Sequence, residues 1–148
     1  GPLDILVNNA GVSYIIPFLD CSQQLWDRTI DINLKGTFNC SQAAISKMLP
    51  RKSGVVINMS SQSGKSGNSH YSAYCASKAA LKSFSQTLRS EYNQSGISVL
   101  HVSPDYTRTS FFRNERFIYG AKLHRSKMAS VESVAKKIIS IYNSVSAD

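Results

Sequence analysis

Three short apolar runs recur along the chain, and each one ends in small or turn-forming residues. Longer stretches with the apolar spacing of helices alternate with them. The strands are predicted at about 3–7, 55–60 and 97–102. The helices are predicted at about 22–48, 71–93 and 131–142. Continuous apolar strands that alternate with helices predict an α/β fold, in which helices cover both faces of a parallel sheet.

The polar residues that follow these strands are expected to meet at one edge of the sheet. The first strand runs into Asn8–Gly11, Ser61 follows the second, and Pro104 follows the third. Ligands of open parallel sheets bind beyond the carboxyl ends of the strands. The sequence therefore predicts one crevice that these segments share.

Tyr74 and Lys78 are the most informative pair of side chains for the chemistry of that crevice. They stand four residues apart at the start of the second predicted helix, so they lie on the same helix face. An ammonium beside a phenol stabilises the tyrosinate, so Tyr74 can exchange a proton at a pH nearer neutrality than the usual tyrosine pKa of about 10 allows. With Ser61 thirteen residues upstream, the pair suits protonation of a carbonyl oxygen.

Composition narrows the class of protein. The sequence has 148 residues, of which 42% are hydrophobic and four are proline. This composition fits a single globular domain over residues 1–148. The net charge of +8 is scattered rather than clustered with aromatics, so we expect solvated surface and no nucleic-acid partner. No apolar run reaches the roughly 18 residues of a membrane span.

Cysteine usage favours a reducing compartment. The three cysteines are odd in number and include no C-x-x-C pair. This pattern suits free thiols in a cytoplasmic protein better than a disulfide framework, and it predicts no metal site.

Taken together, the motifs resemble those of the short-chain dehydrogenase/reductase family, over about residues 3–140. The matching segments are Asn8-Asn9-Ala10-Gly11, Asn33 within Ile32–Gly36, Ser61, the Tyr74/Lys78 pair, and Pro104–Thr109. The order and spacing of all five are specific, although each motif alone is modest. The resemblance implies a Rossmann-like three-layer sheet and hydride transfer between a nicotinamide cofactor and an alcohol or ketone.

The resemblance also implies a role for each catalytic residue. Tyr74 would be the general acid/base, and Ser61 would bind and orient the substrate oxygen. Lys78 would lower the pKa of the tyrosine and hold the nicotinamide ribose. Asn33 would anchor a water molecule that links the lysine to bulk solvent.

The same resemblance implies the cofactor-binding residues. They are Asn8, Asn9, Ala10, Gly11, Tyr74, Lys78, Pro104, Thr107 and Thr109. Asp105 departs from the family, which usually has glycine after this proline, and a carboxylate here is expected to alter the loop or its electrostatics. The cofactor would be NAD(H) or NADP(H), and both alternatives stay open because the residue that selects between them belongs to a segment without a match here.

Four aromatic residues fall where the family keeps its variable substrate loop, at about 106–125. They are Phe111, Phe112, Phe117 and Tyr119. They suggest an apolar or bulky substrate, while a dimer contact and simple packing of a lid are equally open interpretations.

The resemblance covers only the C-terminal half of the family's fold. The chain has no T-G-x-x-x-G-x-G turn, which seats the cofactor pyrophosphate in the family, and no match to the last strand. Two hypotheses follow: the catalytic half of an oxidoreductase, or a truncated, non-catalytic relative that acts by association with other subunits. The helices at about 22–48 and 71–93 would form a homo-oligomer interface in either case, and the first strand is expected to expose an apolar edge.

Overall fold

The computed structural model of the chain describes residues 1–111 and 128–145. The strands are β1 (Ile5–Asn8), β2 (Gly54–Met59) and β3 (Ile97–Val102). The main helices are α1 (Gln23–Ile30), α2 (Gly36–Met48), α3 (Ser72–Tyr92) and α4 (Val131–Val145). Three-residue 3₁₀ turns occur at Phe18–Asp20, Leu49–Arg51 and Gln62–Gly64. No helix in these two ranges is both long enough and apolar enough to span a bilayer.

The three strands form one parallel sheet in the order β1-β2-β3. Val56 of the central strand pairs with Leu6 on one side and with Val99 on the other. Successive parallel strands need a helical crossover, and the stretches between them supply it. The predicted α/β fold with a parallel sheet is thus confirmed.

Helices cover both faces of the sheet. On one face Val56 and Val99 pack with Ala44, Ile45 and Met48 of α2, and Leu88 of α3 joins the edge of this cluster. On the other face Val55, Ile57, Leu100 and Val102 pack against one side of α4, through Ile138, Ile141 and Tyr142. Successive strand residues point to opposite faces of the sheet. A sheet that packs against helices on both faces therefore needs strands whose residues are apolar without a break.

The stretch predicted as one helix at 22–48 is divided into three parts. Ser22 caps α1, since its Oγ accepts a hydrogen bond from the Leu25 N–H at 3.3 Å. A π-helical turn over Asp31–Lys35 then separates α1 from α2, and the Gly36 N–H bonds back to Asp31 O. The π turn thus occupies the five residues just before Gly36. Such π turns often mark functional sites, and this one contains the fully buried Asn33.

A buried polar network ties the carboxyl ends of β1 and β2 to the helices. The Asn8 amide donates to Asn58 Oδ1 at 2.8 Å and to Ser41 Oγ at 3.0 Å. The Asn58 amide donates in turn to Ser85 Oγ at 2.9 Å. Buried polar groups need such partners, and the network fixes β1 and β2 relative to α2 and α3.

Strand β1 is the outer strand of the described sheet. Ile5 is 42% exposed and Val7 is 51% exposed. The apolar edge expected for the first strand is therefore present.

Candidate active site

A cavity of about 760 Å³ opens beyond the carboxyl ends of the three strands. It brings together Ser61, Tyr74 and Lys78, which lie within 17 residues of one another along the chain. It also receives residues that follow β1 and β3. Among its lining residues are Asn9, Ala10, Gly11, Ser61, Gln62, Ser63, Ser66, Asn68, Tyr71, Tyr74, Lys78, Pro104, Asp105, Thr107, Thr109 and Phe111.

Ser61 stands where β2 gives way to the 3₁₀ turn Gln62–Gly64. Its backbone is extended, and its Oγ accepts a hydrogen bond from the Ser63 N–H at 3.1 Å. A hydroxyl has two lone pairs and one hydrogen. The Ser63 contact occupies a lone pair, so the Ser61 hydroxyl can donate its hydrogen to a ligand oxygen.

The turn that carries Ser61 packs directly on the backbone of α3. A Cβ placed on Gly64 would lie 2.7 Å from Lys78 O, a distance that only glycine avoids. Next to it, Ser60 Oγ donates a hydrogen bond to the same carbonyl at 3.0 Å. These two contacts set the position of Ser61 relative to the helix that carries Tyr74 and Lys78.

Tyr74 lies in the first turn of α3, within a group of rings. Its ring centroid is 6.1 Å from that of Tyr71 and 6.2 Å from that of Phe111. Lys78 Nζ lies 5.7 Å from the centroid of the Tyr74 ring. The helical spacing of four residues therefore brings the ammonium beside the phenol, as the pattern predicted.

Lys78 is an almost completely buried cation. Its residue is 4% exposed, and its Nζ donates a hydrogen bond to Met59 O at 2.8 Å. Burial lowers the pKa of the Lys78 ammonium from its ordinary 10.5 to about 8. A cation that is kept out of water at the edge of a cavity exerts a strong field on neighbouring groups.

Asn33 holds the loop after β1 against the catalytic helix. Its Oδ1 accepts from the Val12 N–H at 2.8 Å, and its Nδ2 donates to Val12 O at 2.9 Å. The same Nδ2 donates to Ser77 Oγ at 3.0 Å, and Ser77 Oγ donates to Tyr74 O at 2.8 Å. The side chain of Asn33 is therefore used for positioning, and the water molecule that the resemblance assigns to this residue stays a prediction.

The segment predicted to approach the cofactor is divided between the cavity and the core. Asn9, Ala10 and Gly11 line the cavity, whereas the Asn8 amide belongs to the buried network described above. A Cβ on Gly11 would lie 3.3 Å from Asn33 Oδ1 and 3.7 Å from Lys78 Nζ. Small residues here keep room beside the lysine, which fits a nicotinamide cofactor whose ribose the lysine would hold.

The segment after β3 closes another side of the cavity. Pro104, Thr107 and Thr109 line it, and their contact with a cofactor stays a prediction. Asp105 also lines it, and its Oδ1 accepts a hydrogen bond from the Tyr106 N–H at 2.8 Å. The carboxylate thus supports the local turn at the position where the family usually has glycine.

Of the predicted substrate loop, only the beginning is described. Phe111 lines the cavity and contacts the Tyr74 ring. The predictions for Phe112, Phe117 and Tyr119 lie outside the described residues.

Several positioning residues were missed by reasoning from the sequence. Ser77 links Asn33 to the backbone of Tyr74, Ser60 links β2 to α3, and Asn58 joins the network of Asn8. Ser77 stands directly before Lys78, which is the one sequence signal that could have identified it. The others are single serine or asparagine residues, whose partners are distant in sequence.

Comparison with known proteins identifies the family of the chain. The sequence model of the short chain dehydrogenase family matches residues 1–117. The oxidoreductase UcpA of Salmonella typhimurium is 44% identical over 110 residues, which are 74% of this chain and 42% of that protein. The 3-oxoacyl-[acyl-carrier-protein] reductase FabG of Staphylococcus aureus is 42% identical over 106 residues, which are 72% of this chain and 43% of that protein.

A solved structure shows the same arrangement of elements. A gluconate 5-dehydrogenase from Burkholderia cenocepacia superposes with a TM-score of 0.74 and 30% identity, over 76% of this chain and 44% of that one. The chain thus spans less than half the length of these three relatives. With most of its length matched by the family model, the chain belongs to the short-chain dehydrogenase/reductase family of oxidoreductases.

Proposed function

We propose that this chain carries the catalytic site of an NAD(P)-dependent oxidoreductase that interconverts a carbonyl and an alcohol. One observation carries the proposal: a single cavity joins the Ser61 hydroxyl, the Tyr74 phenol and the buried Lys78 ammonium. A donor, an acid/base and a cation around one space are what protonation of a carbonyl oxygen needs.

Tyr74 is the general acid/base in this proposal. In the reducing direction its hydroxyl gives a proton to the carbonyl oxygen, and in the oxidising direction its oxygen takes the proton of the alcohol. Ser61 donates a hydrogen bond to the same substrate oxygen, because Ser63 already occupies one of its lone pairs. Phe111 offers an apolar surface next to the Tyr74 ring for the remainder of the substrate.

Lys78 and Asn33 support the tyrosine. The positive charge of Lys78 stabilises the tyrosinate that forms when the proton leaves, and its burial keeps that attraction from being screened by water. Asn33 holds the loop after β1, which keeps Gly11 beside the lysine.

Nicotinamide binding is part of the same proposal. NAD(H) or NADP(H), when bound, would accept or supply the hydride. Asn9, Ala10, Gly11, Lys78, Pro104, Thr107 and Thr109 would hold it, and all seven line the cavity. The gluconate 5-dehydrogenase of similar fold was solved with NADP and tartrate, which supports a nicotinamide cofactor here.

The proposal is tested by titrating the chain with NADH and with NADPH while nicotinamide fluorescence is recorded. We expect saturable binding of one of the two, and oxidation of the bound cofactor when a ketone is added. If neither cofactor binds saturably, catalysis by this chain is excluded. The alternative, a non-catalytic relative that acts by association, would then be favoured.

We further propose that the faces of α1–α2 and α3 form the contact between copies of the chain. Phe38 of α2 and Phe84 of α3 support this, since their rings meet edge to face with centroids 6.4 Å apart. Phe38 is 45% exposed, so an aromatic pair stands at the surface where the two helices adjoin.

The free thiols of Cys21, Cys40 and Cys75 support the cytoplasmic location that the sequence predicts.

Phe38→Asp is expected to convert this oligomer to monomer. A carboxylate in the centre of an apolar contact remains unpaired and loses its water on association, which costs several kcal/mol. Light scattering during size-exclusion chromatography measures the mass. Phe18→Asp is the matched control, since Phe18 is 71% exposed and lies outside these helices. Equal masses for Phe38→Asp and the parent chain would contradict the assigned interface.

A further inference from the structure

The loop between Ser61 and Tyr71 gives the cavity a wall of hydroxyl and amide groups. Gln62, Ser63, Ser66 and Asn68 all line the cavity, and they come within the seven residues after Ser61. Neutral donors and acceptors therefore form one wall of the cavity that would receive the substrate oxygen. Phe111 faces the same cavity from the segment after β3, so the lining has a polar side and an aromatic side.

Asn68 is held in this wall by two hydrogen bonds. Its Nδ2 donates to Ser63 Oγ at 3.0 Å, and its backbone carbonyl accepts from the Tyr71 N–H at 3.2 Å. An amide has two N–H donors and a carbonyl acceptor, so a second N–H and the side-chain oxygen can serve a ligand. A hydroxyl is the ligand group that uses one donor and one acceptor at once.

Hydrogen bonds connect Asn68 to the reacting centre. Asn68 binds the hydroxyl of Ser63, and the backbone N–H of Ser63 binds Ser61 Oγ. Ser63 is buried, which holds both contacts in place. The amide of Asn68 is thus linked through Ser63 to the residue that would orient the reacting oxygen. A substrate whose carbonyl oxygen binds Ser61 would therefore present groups close to its reacting carbon to this part of the wall.

We propose that the substrate carries a hydroxyl next to its reacting carbonyl and that Asn68 binds this hydroxyl. The substrate class is then the α-hydroxy ketones and the corresponding vicinal diols, with an aliphatic portion against Phe111. This inference rests on the proposed function, because it places the carbonyl oxygen between Ser61 and Tyr74.

The test compares acetoin with isopropyl methyl ketone, which replaces the hydroxyl of acetoin by a methyl group of similar size. We expect kcat/KM for acetoin to exceed that for isopropyl methyl ketone by about fivefold or more, the effect of one retained hydrogen bond. In Asn68→Leu the ratio should fall to about one, since leucine keeps the size but neither donates nor accepts. Asn143→Leu, an exposed change on α4 outside the cavity lining, should keep the parent ratio.

The ratio of the two ketones is the readout because Asn68→Leu also removes the contact with Ser63 and can lower both rates. Asn68→Ala provides a second variant if the leucine variant does not fold, and it should lower the ratio because the alanine side chain neither donates nor accepts a hydrogen bond. A parent ratio of one or less, or a ratio that neither variant changes, would overturn the hydroxyl site and leave the proposed function intact. Reduction of neither ketone by a chain that is saturated with cofactor would overturn both.

Discussion

Tyr74→Phe is expected to lower kcat by about 10²- to 10⁴-fold, the usual contribution of a positioned acid/base. The substitution removes one oxygen atom and keeps the ring that contacts Tyr71 and Phe111. The fold and the binding of the cofactor should therefore persist. Steady-state reduction of a ketone gives the rate, and circular dichroism with a cofactor titration checks that the variant is folded and loaded.

Tyr92→Phe is the matched control for this experiment. It removes the same atom from the same helix, at the opposite end of α3, where the ring packs at the edge of the core cluster. Its activity should equal that of the parent chain. Near-normal turnover by Tyr74→Phe would refute the role of Tyr74, and an equal loss in both variants would point to a general effect on α3.

Lys78→Met is expected to raise the free energy of unfolding at pH 7 while it removes most of the activity. The lowering of the Lys78 pKa from 10.5 to about 8 corresponds to a destabilisation of about 3 kcal/mol when the lysine is charged. Methionine has a similar length and no charge to desolvate. Loss of the hydrogen bond to Met59 O offsets about 1 kcal/mol, so a net gain of about 2 kcal/mol is expected.

The pH dependence of this gain identifies its origin. Between pH 8 and 10.5 the unfolded chain retains the proton of Lys78 while the folded chain releases it. The unfolded state then binds more protons, so the stability of the parent chain rises with pH across this range. The advantage of Lys78→Met should therefore be full below pH 8 and should shrink as the pH approaches 10.5.

Urea unfolding of the parent chain and of Lys78→Met at several pH values measures the difference in their free energies of unfolding. Lys82→Met is the control, because Lys82 lies one turn further along α3 and is exposed. Its stability should stay close to that of the parent chain at each pH. A Lys78→Met variant that is less stable at pH 7, by an amount that does not change with pH, would show that desolvation of Lys78 is not the dominant effect.

The division of the first long helix shows where sequence periodicity reaches its limit. Apolar spacing predicts a helix at 22–48, and α1 and α2 occupy most of that range. The π turn between them adds one residue to a helical turn. An apolar period of 3.6 residues, measured over the whole stretch, does not reveal so local a change. The Asn33 contacts with Val12 and Ser77 indicate why the turn is kept, and they join segments 21 and 44 residues apart.

Asn8 shows that the sequence is also limited in predicting which residues face the cavity. Its place in Asn8–Gly11 predicts a cofactor-binding residue, yet its amide bonds to Ser41 and Asn58 in the buried network. Adjacent residues at a strand end point in opposite directions, and the sequence does not say which faces the cavity. Only the packing of α2 against the sheet and the pairing of β1 with β2 give Asn8 its partners.

The sequence alone determined the order of the strands and helices, the parallel sheet and the meeting of Ser61, Tyr74 and Lys78. These properties follow from local periodicity, from the rule that parallel strands end at one edge, and from a spacing of four on one helix. The tertiary structure decided the burial of Lys78, the close contact of Gly64 with α3 and the positions of Asn33 and Asn68. These depend on atoms that are brought together from distant segments, because desolvation and hydrogen bonding are properties of the packed surroundings rather than of the residue itself.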